Sequence, residues 1–308
     1  MYESILTLLQ TIEIPFDPTL FEVGSVEISW HGIFTALAVV AGVAVAARFA
    51  RKAGFSEEHT YNIALALVIG GIIGARALYV IENWDRFEDD LGEIFSLNTG
   101  GIAIYGALIG GGIGAWAYAY FARVPNISRN ADIASLGAIL GMAVGRVGDI
   151  INGEHFAEPT TLPWGVKYTD ADSPGFRGDP PLDPAGAITH PAVAYEMLAD
   201  LAIFAVLLLV YTRSARSGVT FYVWVLLYAG MRLAISFLRL DDTVLGGLRM
   251  AQVVAIILMA LALPALLYLL RRGPSDGSGA GPRGSRARPR VSRAERRRRL
   301  AGGSRRPE

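Results

Sequence analysis

The 308-residue chain contains no cysteine. Disulfides, thiolate metal sites and a cysteine nucleophile of its own are therefore excluded. Lysine is almost as scarce, with Lys52 and Lys167 alone, and neither lies inside an apolar run, so a Schiff base on a membrane lysine is ruled out. Charged residues make up 18% of the chain, whereas soluble domains carry about 25%. The opening stretch MYESILTLLQTIEIPFDP has no basic start and breaks at Pro15, and it is not expected to be a cleaved signal peptide.

What the chain has in excess is apolar sequence, at 52% of its residues. Seven runs reach the roughly 20 residues needed to cross the hydrocarbon core. They lie near 28–48, 61–82, 101–122, 132–153, 190–211, 219–239 and 248–270. The expected fold is an all-α membrane protein of seven transmembrane helices. The second, third and fourth runs carry "GGIIGARA", "GALIGGGIGA" and "GAILGMAVG". Small residues let helix backbones approach closely in lipid, so these three are expected to form the packed heart of the bundle.

Arginine and lysine in the short loops set orientation. Arg48, Arg51 and Lys52 follow the first run, Arg123 and Arg129 the third, and Arg213 and Arg216 the fifth, whereas the loop after the second is acidic. The N-terminus is thus expected outside and the C-terminus in the cytoplasm. The expected organisation is an extracytoplasmic segment at 1–27, a membrane domain at 28–270 with an outer loop at 154–189, and a tail at 271–308. That tail holds thirteen arginines against three acidic residues. It has too little apolar content to fold and reads as a topology and lipid anchor, not as a nucleic-acid binder.

Against this background, "GMAVGRVGDIINGEHF" (residues 141–156) stands out. Arg146, Asp149 and Asn152 recur every three residues and would share one helix face. A charge at bilayer depth costs about 2.5–3.5 kcal/mol on insertion scales. Further polar residues fall at the outer ends of the other runs: His31, Arg76, Tyr105, Tyr195, Glu196, Arg232, Arg239, Arg249 and Gln252, with Glu154 just past the fourth. Nothing comparable is expected at the inner ends. Arg232 and Arg239 are seven residues apart and share a face, and Arg146 adds a third like charge. Like charges repel in a low dielectric, so a bound anion is expected to neutralise them. Guanidinium forks match phosphate oxygens, and in an outer-leaflet pocket the obvious phosphate is a phospholipid headgroup. A transporter would instead show polar residues through the full depth or internal repeats with broken helices, and the sequence shows neither.

The stretch "GRVGDIINGEHFA" resembles the signature of the prolipoprotein diacylglyceryl transferases, which reads roughly G-R-x-G-N-F-x-N-G-E-x-x-G. "ISWHGIF", "GGIAIYGALIGG", "WGVKY", "HPAVAYE", "RLAISFLRLDD" and Gln252 follow the family's order over residues 28 to about 270. The resemblance implies a seven-span enzyme of the bacterial plasma membrane. It would move diacylglyceryl from phosphatidylglycerol to the lipobox cysteine of preprolipoproteins, releasing glycerol 1-phosphate. It implies no metal and no cofactor; the partners are phosphatidylglycerol, preprolipoproteins and membrane lipids, with no nucleic acid, and a monomer is expected.

By resemblance, Arg146 and Arg232 match arginines that hold the phosphate, and Asn152, Glu154 and Arg239 match other motif positions. Asp149 and Ser236 are expected beside them at the phosphatidylglycerol. Several positions depart from the pattern: His31 for tyrosine, Tyr105 for histidine, Asp149 for asparagine, Ser236 for an acidic residue and Ala157 for glycine. Two compensations are expected, His31 with Tyr105 and Asp149 with Ser236. For the base that takes the thiol proton, His31 leads, since an unperturbed imidazole titrates at about 6.5; Tyr105 and Glu154 follow. The alternative is a diverged member that binds anionic phospholipid without transferring it.

Overall fold

Seven long helices stand on the seven predicted runs of this computed structural model. They are α1 (Trp30–Lys52), α2 (Glu57–Glu82), α3 (Ile104–Phe121), α4 (Ile127–Asn152), α5 (Ala192–Arg213), α6 (Val219–Ile235) and α7 (Met250–Arg271). Residues 11–24, 26–95, 101–178 and 186–272 are described, all within the compact unit Met1–Ser278. The expected tail lies outside them from residue 273 onward, as do residues 1–10 of the N-terminal segment. Six of the seven helices are long and apolar enough to cross a bilayer, α6 together with the 3₁₀ turn Ser236–Leu238 that extends it. The exception is α3, the 18-residue helix Ile104–Phe121, which carries five glycines and three tyrosines.

The helix ends follow local chemistry. The Ser29 hydroxyl accepts from the Gly32 N–H at 3.1 Å and starts α1, and the Asn126 side chain accepts from the Arg129 N–H at 3.1 Å at the head of α4. At the head of α7 the Gln252 side chain reaches back to the Arg249 N–H at 2.9 Å. Gly153 ends α4 with φ +74°, and a Cβ there would lie 2.7 Å from the Tyr168 ring. Only glycine fits that backbone in that space.

The glycine-rich helices do approach closely, but in two separate pairs. A Cβ on Gly110 of α3 would lie 2.2 Å from the Gly70 carbonyl oxygen of α2, and one on Gly106 would lie 2.2 Å from that of Gly74. A Cβ on Gly137 of α4 would lie 2.3 Å from the Gly42 carbonyl oxygen of α1. The expected triple centre of the second, third and fourth spans is therefore corrected. α3 packs on α2, that pair meets the remainder through α1, and α4 is the centre, contacting α1, α5 and α6. The reason is that small residues permit close approach without choosing the partner.

The core between α1, α4 and α5 is apolar, with Ala46, Ala50, Ile133, Leu136, Ile139, Ile203 and Leu207. Near the start of α4, fully buried Asp132 accepts from the Gly218 N–H at 2.8 Å and the Phe221 N–H at 2.9 Å, with Arg129 at 3.6 Å. It caps α6 from a neighbouring helix, satisfying backbone donors that lipid cannot. A buried charge does therefore occur at the end where none was expected, and it serves the fold.

Among the described residues, three short strand pairs flank the helices. β1 (Ile12–Ile14) runs parallel to β4 (Val166–Tyr168), β2 (Thr19–Val23) forms a hairpin with β3 (Val26–Ser29), and β5 (Thr243–Leu245) pairs with β6 (Leu248–Arg249). The segment after α4 is tied to the chain beyond α6 by Glu158 N–H to the Leu238 carbonyl at 2.9 Å and Leu240 N–H to the Phe156 carbonyl at 3.2 Å. It is tied to the approach of α5 by His190 N–H to the Glu158 carbonyl at 3.0 Å. These links hold the end of α4 against the end of α6 and the start of α5.

Candidate active site

At that junction one carboxylate organises three arginines. Glu196, one turn into α5 and fully buried, places Oε2 at 2.5 Å from Arg146 Nη2 of α4. Its Oε1 bonds Arg232 of α6 and lies 3.8 Å from Arg239 Nη1. The anion expected to neutralise the arginines is thus partly internal. The signal was available: Glu196 is the first of two carboxylates in the apolar run "AVAYEMLADLAIF", and an intramembrane charge needs a partner. Asp200 lies four residues on, fully buried, with no hydrogen-bond partner to either oxygen among the described residues.

Arg239 is held on one side of its fork, while its buried Nη1 has no hydrogen-bond partner among the described residues. Its Nε and Nη2 donate to the two Asp241 oxygens at 3.0 and 3.1 Å, Nη2 also donates to His155 Nδ1 at 3.1 Å, and only 6% of its side chain is exposed. Burial alone would push the Asp241 carboxyl up, but the hydrogen bonds and charge of Arg239, with that of Arg232, hold it below the usual carboxylate range. Arg249 braces the same turn, donating to the Ser236 carbonyl at 2.6 Å and the Asp241 carbonyl at 3.1 Å. Ser236 is fully buried and returns its hydroxyl to the Leu233 carbonyl at 2.7 Å. Arg232 is more open than Arg239, with 21% of its side chain exposed, and Arg146 has 14%. Guanidinium carries five donors, so both retain N–H groups for an incoming anion.

Asp149 joins this cluster to α1. Its Oδ1 meets His31 Nδ1 at 2.8 Å and its Oδ2 accepts from Arg146 Nη1 at 3.0 Å, with His155 Nε2 3.6 Å from Oδ2. Glu154 is exposed, and Asn152 is half-buried beside this group on α4. The ligand atoms of His31, Asp149 and Glu154 lie within 4.8 Å of one another. Both Asp149 oxygens are engaged and Arg146 brings positive charge to the same spot, so we assign them no metal. Tyr105, at the head of α3, lies within electrostatic reach of Arg232 and Asp241. Trp164 Nε1 donates to the Tyr195 hydroxyl at 2.7 Å, and the Tyr168 hydroxyl to the Ile150 carbonyl at 2.8 Å. Burial pushes the Tyr168 phenol up, and Asp149 adds to the effect.

A family model described as prolipoprotein diacylglyceryl transferase matches residues 18–268. The chain belongs to the prolipoprotein diacylglyceryl transferase family. Among curated relatives, proteins named phosphatidylglycerol–prolipoprotein diacylglyceryl transferase are similar over nearly their full length. The one from Clostridioides difficile is 33% identical over 260 residues, 84% of this chain and 98% of that protein. One from Dehalococcoides mccartyi is 36% identical over 84% of this chain and 96% of its own. One from Nostoc is 36% identical over 83% and 90%.

Set against the pattern of the prolipoprotein diacylglyceryl transferases, two departures touch one another. His31 and Asp149 are hydrogen-bonded at 2.8 Å. The expected compensations, His31 with Tyr105 and Asp149 with Ser236, concern acid/base capacity and charge balance; no described hydrogen bond joins either pair, the Ser236 hydroxyl donating to the Leu233 carbonyl and Tyr105 lying within electrostatic reach of Arg232 and Asp241. The fourth and sixth helices supply the expected arginines Arg146 and Arg232. Sequence reading left Glu196 without a role and missed His155, Asp241 and Asp200. His155 and Asp241 are legible only as neighbours of motif residues, since their partners are 84 and 2 positions away on Arg239.

Proposed function

We propose that this chain is a phosphatidylglycerol–prolipoprotein diacylglyceryl transferase of the bacterial plasma membrane, a monomer with seven spans. Residues 1–27 lie outside, 28–270 form the catalytic domain with its outer loop at 154–189, and the tail at 271–308 lies in the cytoplasm against anionic lipid. The basic loops support that orientation, which opens the site to the outer leaflet. The observation that carries the reading is the arginine pair Arg146 and Arg232 held on one buried carboxylate, Glu196, at the meeting of α4, α5 and α6. Shared between two guanidiniums, the carboxylate fixes both forks while leaving N–H donors free, which is a preorganised set of hydrogen-bond donors in a water-poor place.

The reaction is a substitution at carbon and needs no redox change. The lipobox thiol loses its proton, its sulfur forms a bond to the glyceryl carbon, and the carbon–oxygen bond to phosphate breaks. The electron pair leaves on glycerol 1-phosphate. Arg146 and Arg232 would meet the charge growing on phosphate, with Arg239 held behind them. Each of the three arginines already meets a carboxylate of the chain, Glu196 or Asp241. Little surplus positive charge therefore awaits the second charge of the product, and a base that becomes cationic in the same step restores the balance. His31 fits that role, with Tyr105 and Glu154 as alternatives. Asn152 would line the same region, and Ser236, fully buried with its hydroxyl on the Leu233 carbonyl, would support the turn behind it. The test is transfer by purified protein reconstituted with phosphatidylglycerol and a lipobox peptide. Covalent diacylglyceryl on the peptide cysteine with stoichiometric glycerol 1-phosphate supports the reading, and phospholipid binding without transfer overturns it.

A further inference from the structure

Resting on that transferase reading, we propose that Asp149 is a positioning residue for His31 and not a contact for phosphate. A carboxylate only accepts, so the 2.8 Å bond to Asp149 Oδ1 puts the His31 proton on Nδ1. The lone pair then sits on Nε2 of a ring whose side chain is 42% exposed, while that of Asp149 is 11% exposed. The second oxygen of Asp149 is taken by Arg146 at 3.0 Å. Arginine cannot accept, so the 3.1 Å bond from Arg239 Nη2 makes His155 Nδ1 the acceptor and leaves the His155 proton on Nε2, 3.6 Å from Asp149 Oδ2. Donors from α1, from α4 and from the segment beyond α4 thus surround one carboxylate. It has no face for a phosphate, which it would repel.

The backbone is built for this contact. A Cβ on Gly148 would lie 2.8 Å from Phe34 Cβ and 3.0 Å from His31 Cα. Glycine at 148 lets the start of α1 lie directly on the end of α4, which brings His31 within reach of Asp149. The charged groups facing the His31 ring are Asp149 from α4 and Glu154 just beyond it, and Asp149 in turn meets Arg146 and His155.

In the step itself, the thiol proton passes to His31 Nε2 while sulfur attacks the glyceryl carbon and the phosphate ester oxygen departs with the electron pair. The imidazolium formed is held by Asp149, and its proton later returns to water. Because Asp149 shares its charge between His31 and Arg146, phosphate that draws on Arg146 frees the carboxylate for the imidazolium. The clamp and the base are coupled through one residue.

Four reconstituted proteins test this: wild type, Asp149→Asn, His31→Ala and the double variant, each assayed for transfer with phosphatidylglycerol concentration varied. Asp149→Asn is expected to lower kcat about 100-fold or more with KM for phosphatidylglycerol within about 3-fold. The double variant is expected to be no slower than His31→Ala. Nitrogen-15 spectra of labelled histidines should show His31 in the Nδ1–H tautomer in wild type, a readout that survives if Asp149→Asn fails to fold. A raised KM with unchanged kcat, additive losses in the double variant, or an Nε2–H tautomer for His31 in wild type would each overturn the proposal. Failure of wild type to transfer at all would instead remove the transferase reading on which it rests.

Discussion

Arg146 of α4 and Arg232 of α6 share a single buried carboxylate, each holding a different oxygen of Glu196. Neither helix could carry its arginine alone, because an unpaired buried charge is expensive and two guanidiniums side by side repel. The α5 carboxylate makes the pair possible and sets the spacing of their forks.

Glu196 therefore holds the site together as well as the fold. Replacing Glu196 with Leu leaves two partly buried cations without their bridge and is expected to lower stability by up to about 3 kcal/mol, the lower end of the loss from breaking a buried pair. Thermal unfolding in detergent should show a large drop in Tm. Glu196→Gln, which keeps shape and two polar atoms, should fall between that variant and wild type.

Arg239 works through its planar fork on Asp241. Lysine at 239 would keep the charge but could not bond both oxygens and His155 together. Arg239→Lys is expected to cost roughly 10-fold or more in kcat/KM, since a charge-assisted hydrogen bond is worth about 1.5–3 kcal/mol. Steady-state transfer measurements would show it; full activity would contradict the bracing role.

Asp241 gives a pH dependence of stability. Its folded carboxyl titrates below the unfolded value, so its contribution is present above the unfolded value of about 3.9 and is lost as pH falls through the folded one. The difference in Tm between wild type and Asp241→Asn should be constant from neutral pH to about pH 5 and vanish under more acidic conditions. With 35% of the side chain exposed, the difference should be modest.

Two neighbouring glycines in α3 separate packing from propensity. Gly110→Ala would drive a Cβ to 2.2 Å from the Gly70 carbonyl oxygen, whereas Gly112 has nothing within 4 Å of such an atom. Gly110→Ala should lower Tm clearly, while Gly112→Ala should be neutral or raise stability by up to about 1 kcal/mol, the helix preference of alanine.

Much of this was legible in one dimension. The seven apolar runs located the long helices, six of which are long and apolar enough to cross a bilayer. Arg146, Arg232 and His31 were legible as polar residues out of place in such runs. Which helices pair was not, because "GGIIGARA" and "GAILGMAVG" have the same small-residue character and yet pack on different partners. Nor was the His31–Asp149 bond, which joins residues 118 positions apart. Glu196 was visible and undervalued: the three arginines drew attention to an external anion while the chain supplied one itself.

The most direct test of the account is transfer by the purified protein in vesicles containing phosphatidylglycerol, with a lipobox peptide, for wild type and Arg146→Ala. Wild type should place diacylglyceryl on the peptide cysteine and release glycerol 1-phosphate in equal amount. Arg146→Ala should be slower by about 100-fold or more, the loss expected when a preorganised charge is removed from the transition state. Undiminished transfer by Arg146→Ala, or none by wild type, would contradict it.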